Sequence, residues 1–183
     1  MPLSCMHKPL THGFLAVLLL SLGICLIPTV HADEELEDKV KAAYLFHLVK
    51  FVDWPGLPPD ELRICVYGSK SMADLMGELS NRKVKERTLK IDANDPSDPS
   101  RCQVVFIGRT EKRWHSLLEK TAGLPILTVS DHDGFARRGG MVGFYADGGK
   151  IRLEINPGVT HKANLRLSSK LLELARTVPA AKE

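Results

Sequence analysis

Apolar residues recur along this chain with two distinct periods. Val40, Tyr44, Leu45, Leu48, Val49 and Val52 follow three- and four-residue spacing, which predicts one opening helix closed by Pro55. Glu34, Glu35, Glu37 and Asp38 crowd its first turns, where the helix dipole favours negative charge. Residues 62–67 (LRICVY) read as a strand stopped by Gly68, and Met72, Leu75, Met76 and Leu79 as a short helical face. Residues 84–91 form a weaker, charged strand of edge character. Turn chemistry fills 92–101 (DANDPSDPSR). Residues 102–107 (CQVVFI) are nearly all apolar, as in a strand covered on both sides. Trp114, Leu117 and Leu118 line a further helix, and 126–129 (ILTV) a further buried strand.

Residues 141–146 and 150–156 face each other across Asp147-Gly148-Gly149, a strong hairpin signal. One turn of helix at 135–138 precedes them. Ala163, Leu167, Leu171, Leu174 and Ala175 predict a single terminal helix from about Val159 to Arg176. Strands and helices thus alternate through the middle of the chain. The expected fold is α/β: a compact mixed sheet, parallel in the centre with a late antiparallel hairpin, flanked by helices. No repeat and no long linker divides it.

The N-terminus changes the count of what has to fold. Lys8 precedes an apolar core, 14–27, broken only by Ser21 and Gly23, and Val30-His31-Ala32 fits the small-x-small rule of a signal peptidase. Residues 1–32 are therefore expected to be a cleaved export signal, and 33–183 a single domain in the periplasm without a membrane span. A spanning helix wants about 20 apolar residues, and this run is shorter. A lipoprotein anchor at Cys25 needs a small residue before the cysteine, where Ile24 stands.

Cleavage leaves about 150 residues, a usual domain size. It removes one charged residue, so the formal charge drops by one from +3. That near-balance argues against a nucleic-acid partner, which requires a concentrated basic face. Of four cysteines, Cys65 and Cys102 remain. An oxidising compartment favours a disulfide between them over two separate buried thiols.

Templates for catalysis fail. There is no Gly-x-Ser-x-Gly elbow and no His-Glu-x-x-His helix. Residues 143–150 (GFYADGGK) miss the phosphate-loop spacing and lead into a strand rather than a helix. No catalytic residue, metal ligand set or cofactor is expected. Asp131-His132-Asp133 is the most suggestive cluster, because it follows a strand where open α/β sheets bind ligands. Its carboxylates either orient the imidazole or catch a cation, or the segment is ordinary turn composition. Trp54 is either an anchor for a partner or a lid on the core, with the core favoured. Alternation sets Arg152 and Glu154 opposite Leu153 and Ile155, so Glu154 either meets a partner or sits on an ordinary solvated surface.

The ordered set of short runs carries a further signal. Residues 41–45 (KAAYL), 51–55 (FVDWP), 102–108 (CQVVFIG), 127–130 (LTVS), 134–136 (GFA), 139–141 (GGM), 154–156 (EIN) and 167–172 (LSSKLL) span nearly the whole mature chain. In that order they resemble the YfiR-like family of small periplasmic proteins. The resemblance implies a compact α/β regulator without enzymatic activity, often dimeric. It further implies binding to the periplasmic region of a membrane diguanylate cyclase, or a similar membrane signalling protein, whose repression lowers cyclic-di-GMP and biofilm formation. Cys65 and Cys102 occupy matching strand positions. The family's best-known member has a second cysteine pair near the late hairpin, and here 141–145 and 150–153 contain no cysteine. A redox switch built on that second bridge has no counterpart in this chain. The alternative function is a small-ligand sensor module built on Ser130 to Asp133.

Overall fold

A computed structural model describes residues 30–56, 60–93 and 97–179. Residues 1–33 and 34–183 form two separate units, and the architecture below is that of the second. The expected export signal up to residue 29 lies outside the described residues, as do Pro58-Pro59 and the middle of the 92–101 turn.

Helix α1 (Val30–Leu48) leads through a tight turn into β1 (Val52–Asp53). Then follow β2 (Glu61–Tyr67), α2 (Lys70–Gly77), β3 (Lys83–Val84), β4 (Arg87–Asp92), β5 (Val104–Ile107), α3 (Trp114–Thr121) and β6 (Leu127–Ser130). The hairpin strands β7 (Val142–Asp147) and β8 (Lys150–Ile155) come next. The chain closes with α4 (Pro157–Lys162), β9 (Arg166–Leu167), α5 (Ser169–Leu174) and β10 (Arg176–Thr177). Eight strands form one mixed sheet in the order β10-β8-β7-β6-β5-β2-β4-β3. Its five central strands, β4 to β7 across β2, β5 and β6, run parallel. The fold is the expected α/β class.

Strand alternation divides the core into two layers. Leu62, Ile64 and Val66 of β2, with Val104 and Phe106 of β5, pack in one cluster with Leu45 and Leu48 of α1 and Met72 and Met76 of α2. Cys65, Tyr67, Val105 and Ile107 pack on the other side with Trp114 and Leu117 of α3 and with Phe135. Both surfaces of β5 and β6 are fully buried, which is why these strands read as continuous apolar runs. At the carboxyl ends of β2 and β5 the backbones touch. A Cβ on Gly108 would stand 2.5 Å from the Gly68 carbonyl oxygen, so only glycine fits there.

Three expectations need correction. Val52 leaves the helix and pairs with Leu167 in a two-stranded ribbon, β1 with β9, because the helix unwinds after Leu48. Residues 84–91 are not one edge strand. Lys85, at φ 55°, turns the chain so that β3 forms the edge and β4 pairs with both β3 and β2. The single terminal helix is in fact two short helices alternating with two short strands. Asn164 adopts a left-handed φ of 56° after α4, and the Ser168 hydroxyl caps α5 by accepting from the Leu171 amide. Arg166 and Leu167 are drawn to β1, and Arg176 and Thr177 to β8. Leu174, counted in the helical stripe, is 74% exposed.

Cys65 and Cys102 are joined by a disulfide, with Cα atoms 6.0 Å apart and 37 residues between them in sequence. Both are buried, so the bond ties β2 to the entrance of β5 inside the core. The late hairpin turns at Gly148 and Gly149, both at positive φ, as a two-residue turn of this hand requires. Loop-closure entropy sets the expected contribution of the disulfide at about 4 kcal/mol. Replacing both cysteines by serine should lower the urea-unfolding free energy by an amount of that order, and a loss under about 1 kcal/mol would contradict the assignment.

Candidate functional site

The carboxyl ends of β5, β6 and β7 open into a cleft of about 340 Å³. Its position is set by Ser130, the last residue of β6. The buried Ser130 hydroxyl donates to the Ile107 carbonyl at 2.6 Å and accepts from the His132 amide at 3.0 Å. That pair of bonds turns Asp131 and His132 out of the sheet edge. Arg109 arrives from the loop after β5, and Glu37 and Lys41 from α1. Phe144, Tyr145 and Ile151 of the hairpin supply the apolar wall.

Four charged groups interlock there. The Lys41 Nζ stands 2.6 Å from Glu37 Oε1 and 2.7 Å from Asp131 Oδ2, with Asp38 at 3.8 Å. Arg109 reaches Glu37 at 2.8 Å and Asp131 at 3.3 Å. Only 2% of the Lys41 side chain is exposed, and 9% of that of Asp131. The hydrogen bond from Lys41 holds the Glu37 carboxyl below its usual range, against the opposite pull of partial burial. Two polar atoms beside this network are buried without a partner: Asp131 Oδ1 and His132 Nε2.

Glu111, in the loop leading to α3, makes a second charged knot. Its carboxylate accepts from the Arg113 amide at 2.8 Å and from the Arg113 guanidinium at 2.9 Å on both oxygens. These bonds carry its pKa down to about 2, with burial opposing and the nearby His132 assisting.

Of the residues singled out from sequence, the cleft gathers Asp131 and His132. Trp54 lies elsewhere. It is buried, and its indole Nε1 donates to the Gln103 carbonyl at 3.2 Å, beside Cys102 in a separate shallow cleft. Glu154 requires a correction: it is not on a solvated surface. It is 3% exposed, and its Oε2 accepts from Arg137 at 3.1 Å and from the Arg176 guanidinium, whose Nε lies at 3.0 Å. Arg176 also stacks on the Tyr145 ring at 4.0 Å. Glu154 thereby fastens β10 to the hairpin, because pairing with β10 covers the strand that alternation alone leaves open.

Lys41, Glu37 and Arg109 were not singled out from sequence. One signal for Lys41 was available. It stands four residues before Leu45 and seven before Leu48, and so falls on the buried side of α1. A lysine in that register demands a buried counter-charge. Glu37 at i−4 was visible, but Asp131, 90 residues away, was not.

A second surface lies on the same helix. Val40, Ala43, Tyr44 and His47 of α1, with Leu153, Leu171 and Leu174, line an apolar groove of about 400 Å³. Among the described residues no helix is long and apolar enough to cross a membrane. Among the same residues, no group of three His, Cys, Asp or Glu side chains is placed to hold a metal ion.

The fold and its two surfaces define a small α/β domain built to bind. Residues 38–176 match the family described as YfiR/HmsC-like, and the chain belongs to that family. Membership implies a regulator in diguanylate-cyclase signalling of the periplasmic, non-catalytic kind.

Two measurements test the charged network. Lys41→Ala strands a buried carboxylate and should cost about 3 kcal/mol in chemical denaturation, whereas Lys41→Met with Asp131→Leu should recover most of it. A single-variant loss below about 1 kcal/mol would mark the network as an ordinary surface pair. Glu111 has a depressed folded-state pKa, so its contribution is complete above its ordinary 4.5 and is lost as pH falls toward about 2. In a pH series, Glu111→Gln should flatten the part of the stability decline that lies between those values.

Proposed function

We propose that the protein is exported, loses Met1–Ala32, and acts as a single domain, 33–183, in the periplasm. There it binds the periplasmic region of a membrane diguanylate cyclase and represses it, lowering cyclic-di-GMP. The observation that carries this reading is the family match over 38–176. The apolar groove between α1 and α5, with Leu174 exposed on its rim, supports it by offering a dry contact area of the kind partners use. Repression requires only a population shift. A hundredfold preference for the inactive cyclase corresponds to roughly 2.7 kcal/mol of differential binding. A second copy of the chain is a further partner of this reading, as the family resemblance suggests.

The test uses the full-length gene in a host carrying the cyclase. Deleting the gene should raise cyclic-di-GMP, and capture of the protein from solubilised membranes should bring down the cyclase. Intact mass of the captured chain should correspond to a start at Asp33. Unchanged cyclic-di-GMP together with no captured cyclase would overturn the repressor reading.

One observation favours a second reading, a small-ligand sensor. The cleft holds two buried polar atoms without partners, Asp131 Oδ1 and His132 Nε2, at the sheet edge where α/β folds take ligands.

A further inference from the structure

The chemistry of the cleft at the carboxyl ends of β5, β6 and β7 specifies a ligand class, given that the cleft binds a small molecule at all. Three carboxylates line it, Glu37, Asp131 and Asp133, against two cations, Lys41 and Arg109. Both cations are already engaged. Lys41 is almost fully buried, with Glu37 and Asp131 at 2.6 and 2.7 Å. Arg109 spends its Nε on Asp131 and a terminal nitrogen on Glu37. An anionic ligand would have to displace these pairs.

The carboxylates are not spent. Asp131, nine-tenths buried, keeps Oδ1 without a hydrogen bond, a costly state for a carboxylate oxygen. Asp133 is exposed at the cleft and makes no ion pair among the described residues. His132 Nε2 is a second buried atom without a partner. Opposite them Phe144, Tyr145 and Ile151 present carbon surface. The volume suits a ligand at the small end of those that proteins enclose.

We infer that this cleft binds a small organic cation, a primary ammonium carried on an apolar body. The ammonium sits by Asp133 and donates toward Asp131, and the body packs on the hairpin wall. Its N–H groups supply the donor that Asp131 lacks. Three donors and a compact charge match a pair of carboxylates better than a carboxylate or a neutral alcohol does.

The experiment uses three probes of equal chain length: hexylamine, hexanoate and the zwitterion ε-aminocaproate. Protein expressed from the full-length gene is titrated by calorimetry and followed by thermal shift. Hexylamine should bind saturably and raise Tm, hexanoate should do neither, and added salt should weaken the response because Asp133 is exposed. Asp133→Asn should leave the Tm of the free protein unchanged and weaken hexylamine binding roughly fivefold, the size of one exposed ion pair. Hexanoate or the zwitterion binding as well as hexylamine, or Asp133→Asn binding normally, overturns the cation assignment and leaves a ligand site standing. A flat response to all three probes removes the assignment and the sensor reading together. Neither result touches cyclase repression, which is read by cyclic-di-GMP.

Discussion

A lysine ammonium taken out of water has to find its counter-charge at close range, and in this protein that requirement organises the sheet edge. Lys41 meets Glu37 one turn back on its own helix and Asp131 at the end of β6. Holding those two carboxylates together sets the position of α1 over the sheet. The same contacts bring Arg109 in as the outer cation. The cost of desolvating such a group is several kcal/mol per ion. The arrangement is therefore tolerable only because every charge in it has a partner within hydrogen-bond reach. Its by-product is a cleft whose cations are satisfied and whose carboxylates are not entirely so.

Around that edge the fold is held by more ordinary means. Two apolar layers cover the parallel strands, and a buried disulfide joins β2 to the chain entering β5. Close beside it, the Trp54 indole is tied to Gln103. At the far end of the sheet, Glu154 is gripped by Arg137 and Arg176, which holds the last strand against β8. With one bridge enclosed in the core and no cysteine in the hairpin, the covalent cross-link stabilises the domain, and no second bridge is present to modulate it.

The apolar groove and the charged cleft share a wall. Phe144 lines the cleft and packs against Tyr44 at 6.2 Å between ring centroids, while Tyr44 lines the groove. Helix α1 contributes Lys41 to one surface and Val40 and Ala43 to the other. A regulator that binds a partner on one surface and a small molecule on the other would thus have both events bearing on the same helix and hairpin.

Local pattern was enough for much of this. Period-two and period-3.6 spacing placed β2, α2, β5, α3, β6 and the hairpin, because those elements bury sides that their own residues define. Two cysteines in apolar strands of an exported chain were enough to pair Cys65 with Cys102. The runs from Lys41 to Leu172 were enough for the family. What local pattern does not contain is which distant segments meet. The terminal stretch has helical spacing, yet Arg166-Leu167 and Arg176-Thr177 are captured by β1 and β8, whose edges need pairing. Glu154 reads as solvated until β10 covers it. Asp131 was legible as the start of a ligand-facing turn. Its bond to Lys41 was not, because ion pairing across 90 residues is decided by the order of strands in the sheet and the helix laid over it.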